Sequence, residues 1–175
     1  MALIPIPSRS VPWWVLAITA LTIGGALFFE HVIGLQPCSL CLVQRNPYYA
    51  ALPLAFLAGI ASREANIGII PLALMGSLTL IFIVSAGLGI HHAGVEYGWW
   101  EGPAGCSGGL SFPGSVSDLQ AQLQGARPVR CDEVPWSLFG LSLAGYNVLI
   151  SLGLAGLSAL PLIRAYTQQG LEDDE

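Results

Sequence analysis

The sequence carries very little charge for its length. Its 175 residues include no lysine, 6 arginines and 11 acidic residues, so that charged residues make up 10% of the chain. A soluble domain carries roughly 25% charged residues, because its surface must be polar. The net charge of −5 also leaves no basic surface for nucleic acid. This scarcity excludes a soluble enzyme, a disordered tail and a nucleic-acid binder, and it predicts a protein that lies in a lipid bilayer.

Several sequence patterns are also missing. No segment shows the period-2 alternation of a membrane β-barrel strand. The chain has no haem-ligation pattern, no dinucleotide-binding glycine fingerprint and no iron–sulfur cysteine run. These absences favour membrane helices over a barrel, and they leave the chain without a recognisable bound electron carrier.

Four long apolar segments are present instead, each close to the roughly 20 residues that a helix needs to cross a bilayer. They predict an all-α, integral membrane four-helix bundle with spans at about residues 12–33, 46–62, 67–90 and 138–163. The second segment contains two prolines and has two possible starts. Asn46 can cap a helix that has Pro47 at its first position, or a helix can continue from the residues before Asn46.

Four spans place both termini on one side of the membrane and the loops 34–45 and 91–137 on the other. Basic residues near short loops face the cytoplasm, and those of a long loop count for less. Three arginines lie on the terminal side, which are Arg9, Arg63 and Arg164, and two lie in the long loop, which are Arg127 and Arg130. This distribution favours termini on the cytoplasmic side and cysteine loops on the outer side. Glu30 and His31 are expected to be a solvated pair at the end of the first span.

The long loop contains a short amphipathic pattern. Val116, Leu119 and Leu123 recur at helical spacing with polar residues between them. We expect a short helix there, either on the membrane surface or packed on the mouth of the bundle.

All four cysteines fall in the two loops that are predicted to lie outside. Cys38 and Cys41 form a CxxC sequence, whereas Cys106 and Cys131 lie in the long loop. Two pairs on this face fit an oxidising compartment. Inert structural disulfides are one alternative, and a zinc site with the nearby histidines is another. The adjacent pair His91-His92 lacks the usual ligand spacing of three to five residues, so we expect no metal site.

A redox role gives the CxxC pair a physical rationale. A helix N-terminus stabilises a thiolate through its dipole and its unpaired N–H groups. Arg45 follows Cys41 by four residues and shares its face if the helix is continuous. Electrons from such a dithiol need an acceptor, and a lipid-soluble quinone can arrive laterally. Arg45 could then hydrogen-bond a quinone carbonyl and stabilise developing negative charge.

Several segments resemble the disulfide bond formation protein B family. The resemblance covers about residues 12–164. It rests on the sequence from Gln36 to Arg45, on His92-Ala93-Gly94-Val95-Glu96 followed by Trp99-Trp100 and Gly102-Pro103 before Cys106, and on Pro135-Trp136, Phe139-Gly140-Leu141-Ser142 and Tyr146-Asn147 after Cys131. Some family members carry an acid where this chain has Gln44, which leaves the local charge and the quinone preference open.

The resemblance implies a bacterial inner-membrane protein that reoxidises a periplasmic thioredoxin-like dithiol oxidase. Cys38 and Cys41 would exchange electrons with ubiquinone or menaquinone, with Cys41 facing the quinone. Cys106 and Cys131 would receive electrons from the soluble partner, which Cys106 would bind covalently. The resemblance also places Arg45 and His92 at the quinone site.

Two other functions fit parts of the sequence. A non-catalytic four-helix membrane protein would use both cysteine pairs as structural disulfides. A quinone reductase of the vitamin-K-epoxide-reductase type also has four spans and two cysteine pairs. In that type, however, the loop pair precedes the CxxC pair, which is the reverse of the order found here.

Overall fold

Four α-helices account for most of the residues that the computed structural model describes, which are residues 7–62, 68–103 and 130–172. The helices are α1 (Val11–His31), α2 (Ser39–Ala61), α3 (Ile69–Glu96) and α4 (Leu143–Glu172). A small antiparallel hairpin of β1 (Ser137–Leu138) and β2 (Leu141–Ser142) precedes α4. The predicted all-α, four-helix architecture is confirmed.

The helices pack around a core in which α2 contributes small side chains and α3 contributes large ones. Ala51, Ala55 and Ala58 follow one face of α2 and are fully buried. Small residues at this spacing let neighbouring helices approach closely. The helix α3 packs most extensively on α4 and α2, whereas α1 makes few contacts with α4. Met75, Leu78 and Phe82 of α3 complete the core.

Large apolar side chains also cover much of the outer surface. Leu21 is 75% exposed, Leu80 65% and Ile69 80%. Soluble proteins rarely expose continuous apolar surface, because water solvates it poorly. Among the described helices, α1, α3 and α4 are long and apolar enough to cross a membrane, and α2 is not one of these. The exposed apolar residues are therefore the surface that contacts lipid.

The start of α1 and the end of α4 lie at the same end of the bundle. Arg164 Nη1 on α4 donates a hydrogen bond to Ser8 Oγ over 3.2 Å. Cys38, His92 and Cys131 lie together at the other end, at the start of α2 and the end of α3. The start of α1 and the end of α4 therefore lie at the opposite end of the bundle from these cysteines.

Three helices differ from their predicted limits, and one of them is α4, which begins at Leu143 instead of 138 and extends past 163 to Glu172. The helix α2 begins at Ser39, where Cys38 caps it, and Pro47 lies inside it. The continued helix is therefore the correct alternative, and Pro47 does not start it. The helix α3 extends past residue 90 to Glu96, so that both histidines are helical and not in a loop. These extensions shorten the loops expected at 34–45 and 91–137.

The hairpin before α4 was not predicted. Its turn contains Phe139 and Gly140, whose φ angles are 52° and 79°. Two successive positive φ angles are typical of a tight two-residue hairpin turn, and Gly140 adopts this conformation without strain. The Ser142 side chain then accepts a hydrogen bond from Gly145 N over 3.1 Å and caps the start of α4.

Several sequence predictions lie outside the described residues. They concern Cys106, the amphipathic segment at Val116–Leu123, and two of the loop arginines, Arg63 and Arg127.

Candidate redox site

The CxxC pair forms the first turn of α2. Cys38 has extended backbone angles and is the N-cap, and its Sγ accepts a hydrogen bond from the Cys41 backbone N over 3.2 Å. A side chain in this position satisfies one of the N–H groups that a helix start leaves unpaired. Cys38 is buried, Cys41 is half-buried, and both are free thiols. The sequence therefore places the dithiol at a helix N-terminus, as expected.

The surroundings of Cys38 favour its ionised form. Cys38 precedes α2, and a hydrogen bond with the Cys41 thiol contributes most to lowering the pKa of its own thiol. Burial opposes this change, whereas hydrogen bonds from His92 and from the Cys41 backbone lower the pKa further. The net result is a pKa of about 4 for Cys38. In the dithiol state, Cys38 is the thiolate of the pair.

A chain of buried polar side chains leads from this thiolate into the bundle. Cys38 Sγ lies 3.5 Å from His92 Nε2, and His92 Nδ1 lies 2.7 Å from Gln44 Nε2. Asn147 Nδ2 donates to Gln44 Oε1 over 2.8 Å, and Tyr48 OH donates to Asn147 Oδ1 over 2.5 Å. The chain connects α2, α3 and α4 at the level of the dithiol.

The direction of these hydrogen bonds fixes the proton on His92. Because Tyr48 donates to the carbonyl oxygen of Asn147, the amide nitrogen of Asn147 faces Gln44. The carbonyl oxygen of Gln44 is thereby engaged, and its amide nitrogen donates to His92 Nδ1. A neutral imidazole then carries its proton on Nε2, which faces Cys38. His92 is therefore oriented as a donor toward the thiolate.

Cys131 lies directly beside this pair. It is fully buried in one cluster with Cys38 and Val95, and its Sγ is 3.5 Å from Ser39 Oγ. Cys131 is disulfide-bonded. A residue that is distant in sequence thus packs next to the start of α2, so that the loop cysteine and the CxxC pair are within reach of each other.

Arg45 lies on α2 one turn after Cys41 and pairs with Glu30. Its Nη1 donates to Glu30 Oε2, and both side chains are largely buried. The expectation that Glu30 and His31 form a solvated boundary pair is therefore wrong for Glu30. The apolar surroundings of α1 and α2 make an isolated charge costly, and the pairing offsets that cost. In the sequence, the only indication of this pairing was a single acid near the end of the first span.

Glu96 is a further site residue that sequence reasoning did not single out. Its side chain is 2% exposed, and its Oε1 lies 3.9 Å from His92 Nε2. The Ser142 side chain lies beside the carboxyl group, yet no described residue hydrogen-bonds Glu96 Oε2. Buried carboxylate oxygens normally have partners, because leaving them unpaired costs free energy. The signal in the sequence was an acid one helical turn after His92.

An apolar cavity of about 540 Å³ opens beside the dithiol. Its walls come mainly from α1, α2 and α4, and its polar edge includes Cys41, Gln44, Arg45, His92 and Glu96. Cys38 is not among its lining residues. The two cysteines thus differ in their surroundings: Cys38 belongs to the buried cluster with Cys131, whereas Cys41 packs against that cluster and lines the cavity.

Comparison with known proteins agrees with these features. The family model described as "Disulfide bond formation protein DsbB" matches residues 8–161. Disulfide bond formation protein B of Verminephrobacter eiseniae is 36% identical over 166 residues, covering 90% of this chain and 86% of that protein. The protein of the same name from Polaromonas naphthalenivorans is 32% identical over 175 residues, covering 95% and 97%.

A third relative, disulfide bond formation protein B of Methylococcus capsulatus, is 33% identical over 147 residues, with 81% of this chain and 85% of that protein covered. No solved structure matches the chain at a significant level. The match to the family spans nearly the whole chain and includes α1, α2, α3 and the first part of α4. The chain therefore belongs to the disulfide bond formation protein B family and is a four-helix membrane oxidoreductase of disulfide bond formation.

Proposed function

We propose that this protein takes electrons from a periplasmic thioredoxin-like dithiol oxidase and passes them through its two cysteine pairs to a membrane quinone. The observation that carries the proposal is the different environment of Cys38 and Cys41. Cys38 lies in one buried cluster with Cys131 of the long loop, and Cys41 lines an apolar cavity with Arg45. A dithiol in this position connects a protein partner on one side with a lipid-soluble acceptor on the other.

The first exchange occurs at the loop pair. A thiolate of the reduced partner attacks Cys106, the bond between Cys106 and Cys131 breaks, and a mixed disulfide forms with the partner. The partner's second thiol then attacks the mixed disulfide. The partner leaves with its own disulfide formed, and Cys106 is released. Two electrons and two protons have moved from the partner to Cys106 and Cys131.

The second exchange moves the electrons to the CxxC pair. The Cys131 thiolate attacks Cys38 Sγ in the Cys38–Cys41 disulfide, and Cys41 leaves as a thiolate. Cys106 then attacks Cys131, which restores the loop disulfide and releases Cys38 as a thiolate, and Cys41 takes up a proton. The burial of Cys131 and Cys38 in one cluster supports this order of attack, because thiol–disulfide exchange requires the sulfur atoms to meet.

The cavity beside Cys41 fits a quinone. Its volume of about 540 Å³ lies within the usual range of small-molecule sites, and its walls are apolar with a few polar groups at one edge. Because α1 and α4 contact each other sparsely, the cavity between them can admit a lipid-soluble molecule from the side. A bound quinone would supply the two-electron acceptor from which the Cys38–Cys41 disulfide is regenerated.

The polar residues at this edge have separate roles in the proposal. The Arg45 guanidinium, held by Glu30, presents its remaining N–H groups to a carbonyl oxygen. His92 Nε2–H stabilises the Cys38 thiolate, and the imidazole can pass that proton on when the disulfide forms. Both residues can have these roles whether the acceptor is ubiquinone or menaquinone.

The function is tested by quinol formation under anaerobic conditions. The purified protein is reduced, freed of reductant and mixed with decyl-ubiquinone, and the quinone absorbance is followed. We expect two quinols per chain, one for each reduced cysteine pair, none from Cys41→Ser, and wild-type yield from His91→Ala. Failure of the wild-type protein to form quinol, or equal yield from Cys41→Ser, would contradict the proposal.

The partner is tested by covalent trapping. Replacing Cys131 by serine removes the thiol that competes for Cys106, so the mixed disulfide with the partner should accumulate in cells. Mass spectrometry should identify a thioredoxin-like protein joined to Cys106. The non-catalytic alternative, with structural disulfides, predicts no adduct and no effect of Arg45→Ala on the protein.

A further inference from the structure

The dithiol and His92 form a compact set of metal-ligand atoms. Cys38 Sγ, Cys41 Sγ and a ring nitrogen of His92 all lie within 4.8 Å of one another. Tetrahedral Zn²⁺, with bonds of about 2.3 Å to sulfur and about 2.0 Å to nitrogen, holds these two atoms about 3.5 Å apart. The distance between Cys38 Sγ and His92 Nε2 is 3.5 Å. The set therefore has both the donor types and this spacing of a zinc centre.

Glu96 lies beside this set but outside it, because no oxygen of its carboxylate is within 4.8 Å of all three ligand atoms. Its Oε1 lies 3.9 Å from His92 Nε2, and a tetrahedral centre requires about 3.3 Å between such atoms. The side chain must therefore turn toward the two sulfur atoms to become the fourth ligand. Glu96 is 2% exposed, and its Oε2 has no hydrogen-bond partner among the described residues. A cation at this point would neutralise a buried carboxylate that the protein itself leaves incompletely paired.

We propose that the reduced Cys38–Cys41 dithiol binds one thiophilic divalent cation such as Zn²⁺, with His92 Nε2 and Glu96 as the other ligands. On binding, both sulfur atoms coordinate as thiolates, and the proton of the Cys41 thiol passes to the solvent with no transfer of electrons. The disulfide form offers no thiolate and binds no cation. The inference goes beyond the proposed electron transfer, because it requires only the reduced pair.

Metal binding requires a rearrangement of the hydrogen bonds to His92. Nε2 must lose its proton to coordinate, and the proton then lies on Nδ1. Ligating histidines usually donate this second N–H to a carbonyl or carboxylate oxygen. Gln44 must therefore turn its amide so that Oε1 accepts from Nδ1, with Asn147 turning in response. A glutamate at position 44 can accept the hydrogen bond from Nδ1 with either carboxylate oxygen, so no side-chain flip is needed. Gln44→Glu should therefore bind the cation more tightly.

The sequence argument against zinc does not apply to this set. It assumed that His91 and His92 would both be ligands, and their adjacency made that unfavourable. The structure uses only His92, because the ring of His91 lies against Trp100 with the ring centroids 6.0 Å apart. His91 is outside the set and provides a matched control.

Binding can be measured with Co²⁺ as a spectroscopic probe. The full-length protein in detergent carries Cys106→Ser and Cys131→Ser, so that Cys38 and Cys41 are its only thiols. After anaerobic reduction, titration with Co²⁺ should give a sulfur-to-cobalt charge-transfer band and the visible bands of a tetrahedral site. We expect saturation at one Co²⁺ per chain and displacement of Co²⁺ by Zn²⁺. No quinone or partner protein is present, so this result is independent of the electron-transfer assay.

The variants distinguish a specific metal site from weak binding at the protein surface. Cys41→Ser, His92→Ala and Glu96→Gln should each weaken binding by about tenfold or more, and Gln44→Glu should tighten it by about tenfold. His91→Ala should bind as the parent protein does. The same protein with its Cys38–Cys41 disulfide intact should bind no Co²⁺, a comparison that needs no substitution. Equal binding by the oxidised protein or by His92→Ala would mean an adventitious ion only and would overturn the proposal.

Discussion

The single arginine near the dithiol is made compatible with its apolar surroundings by an acid from another helix. Arg45 and Glu30 come from α2 and α1, and each neutralises the other. An unpaired charge at this depth would carry a large desolvation cost, whereas the pair keeps several guanidinium N–H groups at the edge of the cavity. Glu30 thus supports Arg45 in the role that we propose for it.

Replacing Arg45 by methionine should weaken the use of quinone. A hydrogen bond to a charged group contributes about 1.5–3 kcal/mol, so the KM for decyl-ubiquinone should rise about tenfold or more. Glu30→Gln should raise the KM by a smaller factor, because the guanidinium remains but loses its partner. Steady-state kinetics in detergent measure both values. Arg130→Met, which changes an exposed arginine, is the control, and an unchanged KM for Arg45→Met would refute the role of Arg45.

Replacing Gln44 by leucine should destabilise the bundle. The substitution leaves His92 Nδ1 and the Asn147 amide without their partner in a buried region. Each unsatisfied buried group costs about 1–3 kcal/mol, so the thermal unfolding temperature in detergent should fall by several degrees. Gln168→Leu makes the same substitution at an exposed position of α4 and should leave the unfolding temperature unchanged. Equal unfolding temperatures for the two variants would show that the polar chain contributes nothing to stability.

At the scale of helices, the contact between α3 and α4 positions the polar chain. Gly89 of α3 lies so close to α4 that a Cβ atom there would be 2.8 Å from Val148 Cγ2 and 3.1 Å from Asn147 Nδ2. The absence of a side chain at Gly89 therefore lets Asn147 reach Gln44. Helix packing and the hydrogen bonds at the site depend on the same close approach.

A Gly89→Val substitution should force α3 and α4 apart. Overpacking of this kind costs about 1–3 kcal/mol, and it should also break the hydrogen bond between Asn147 and Gln44. We expect a lower unfolding temperature together with a lower rate of quinol formation. Gly87→Val is the matched control, because a Cβ at Gly87 meets no atom within 4 Å. If both variants had the unfolding temperature and the rate of quinol formation of the wild type, the close approach of α3 and α4 would not be needed for stability or activity.

The number of helices was predictable, whereas their ends and their pairings were not. Apolar segments of sufficient length identify membrane helices whatever their neighbours are. The start of α2 depends on the Cys38 cap, and the prolines inside α2 are tolerated because packed membrane helices re-satisfy the backbone groups that proline frees. The pairing of Glu30 with Arg45 depends on how α1 and α2 are rotated about their axes. The sequence alone does not determine that rotation.

The site was predictable to a similar extent. The CxxC spacing indicated a dithiol at a helix N-terminus, and family resemblance added His92. Gln44 appeared in the sequence only as a departure from relatives, yet in the structure it bridges His92 and Asn147. Glu96 drew attention only as part of a matching segment, because its burial becomes visible only after α3 is seen to extend past His92.

For the whole molecule, the separation of the helix termini from the cysteines gives the orientation a direct test. We propose that the cysteine end faces the periplasm and the terminal end faces the cytoplasm. In a cysteine-free background, Glu101→Cys should react with a membrane-impermeant maleimide in right-side-out vesicles. Arg9→Cys should react only after the vesicles are lysed. Both positions are exposed, so a reversed labelling pattern would invert the proposed orientation.

The composition of α2 has a consequence for how the chain enters the membrane during synthesis. It is the one described long helix that lacks the apolar content of an independent span, and it carries Gln44, Arg45 and Asn46 near its start. Transfer of these groups from the translocation channel into lipid is unfavourable for α2 alone. Glu30 of α1 and Asn147 of α4 later satisfy two of them. We therefore expect α2 to become stable in the bilayer late in biogenesis, once α4 has been made.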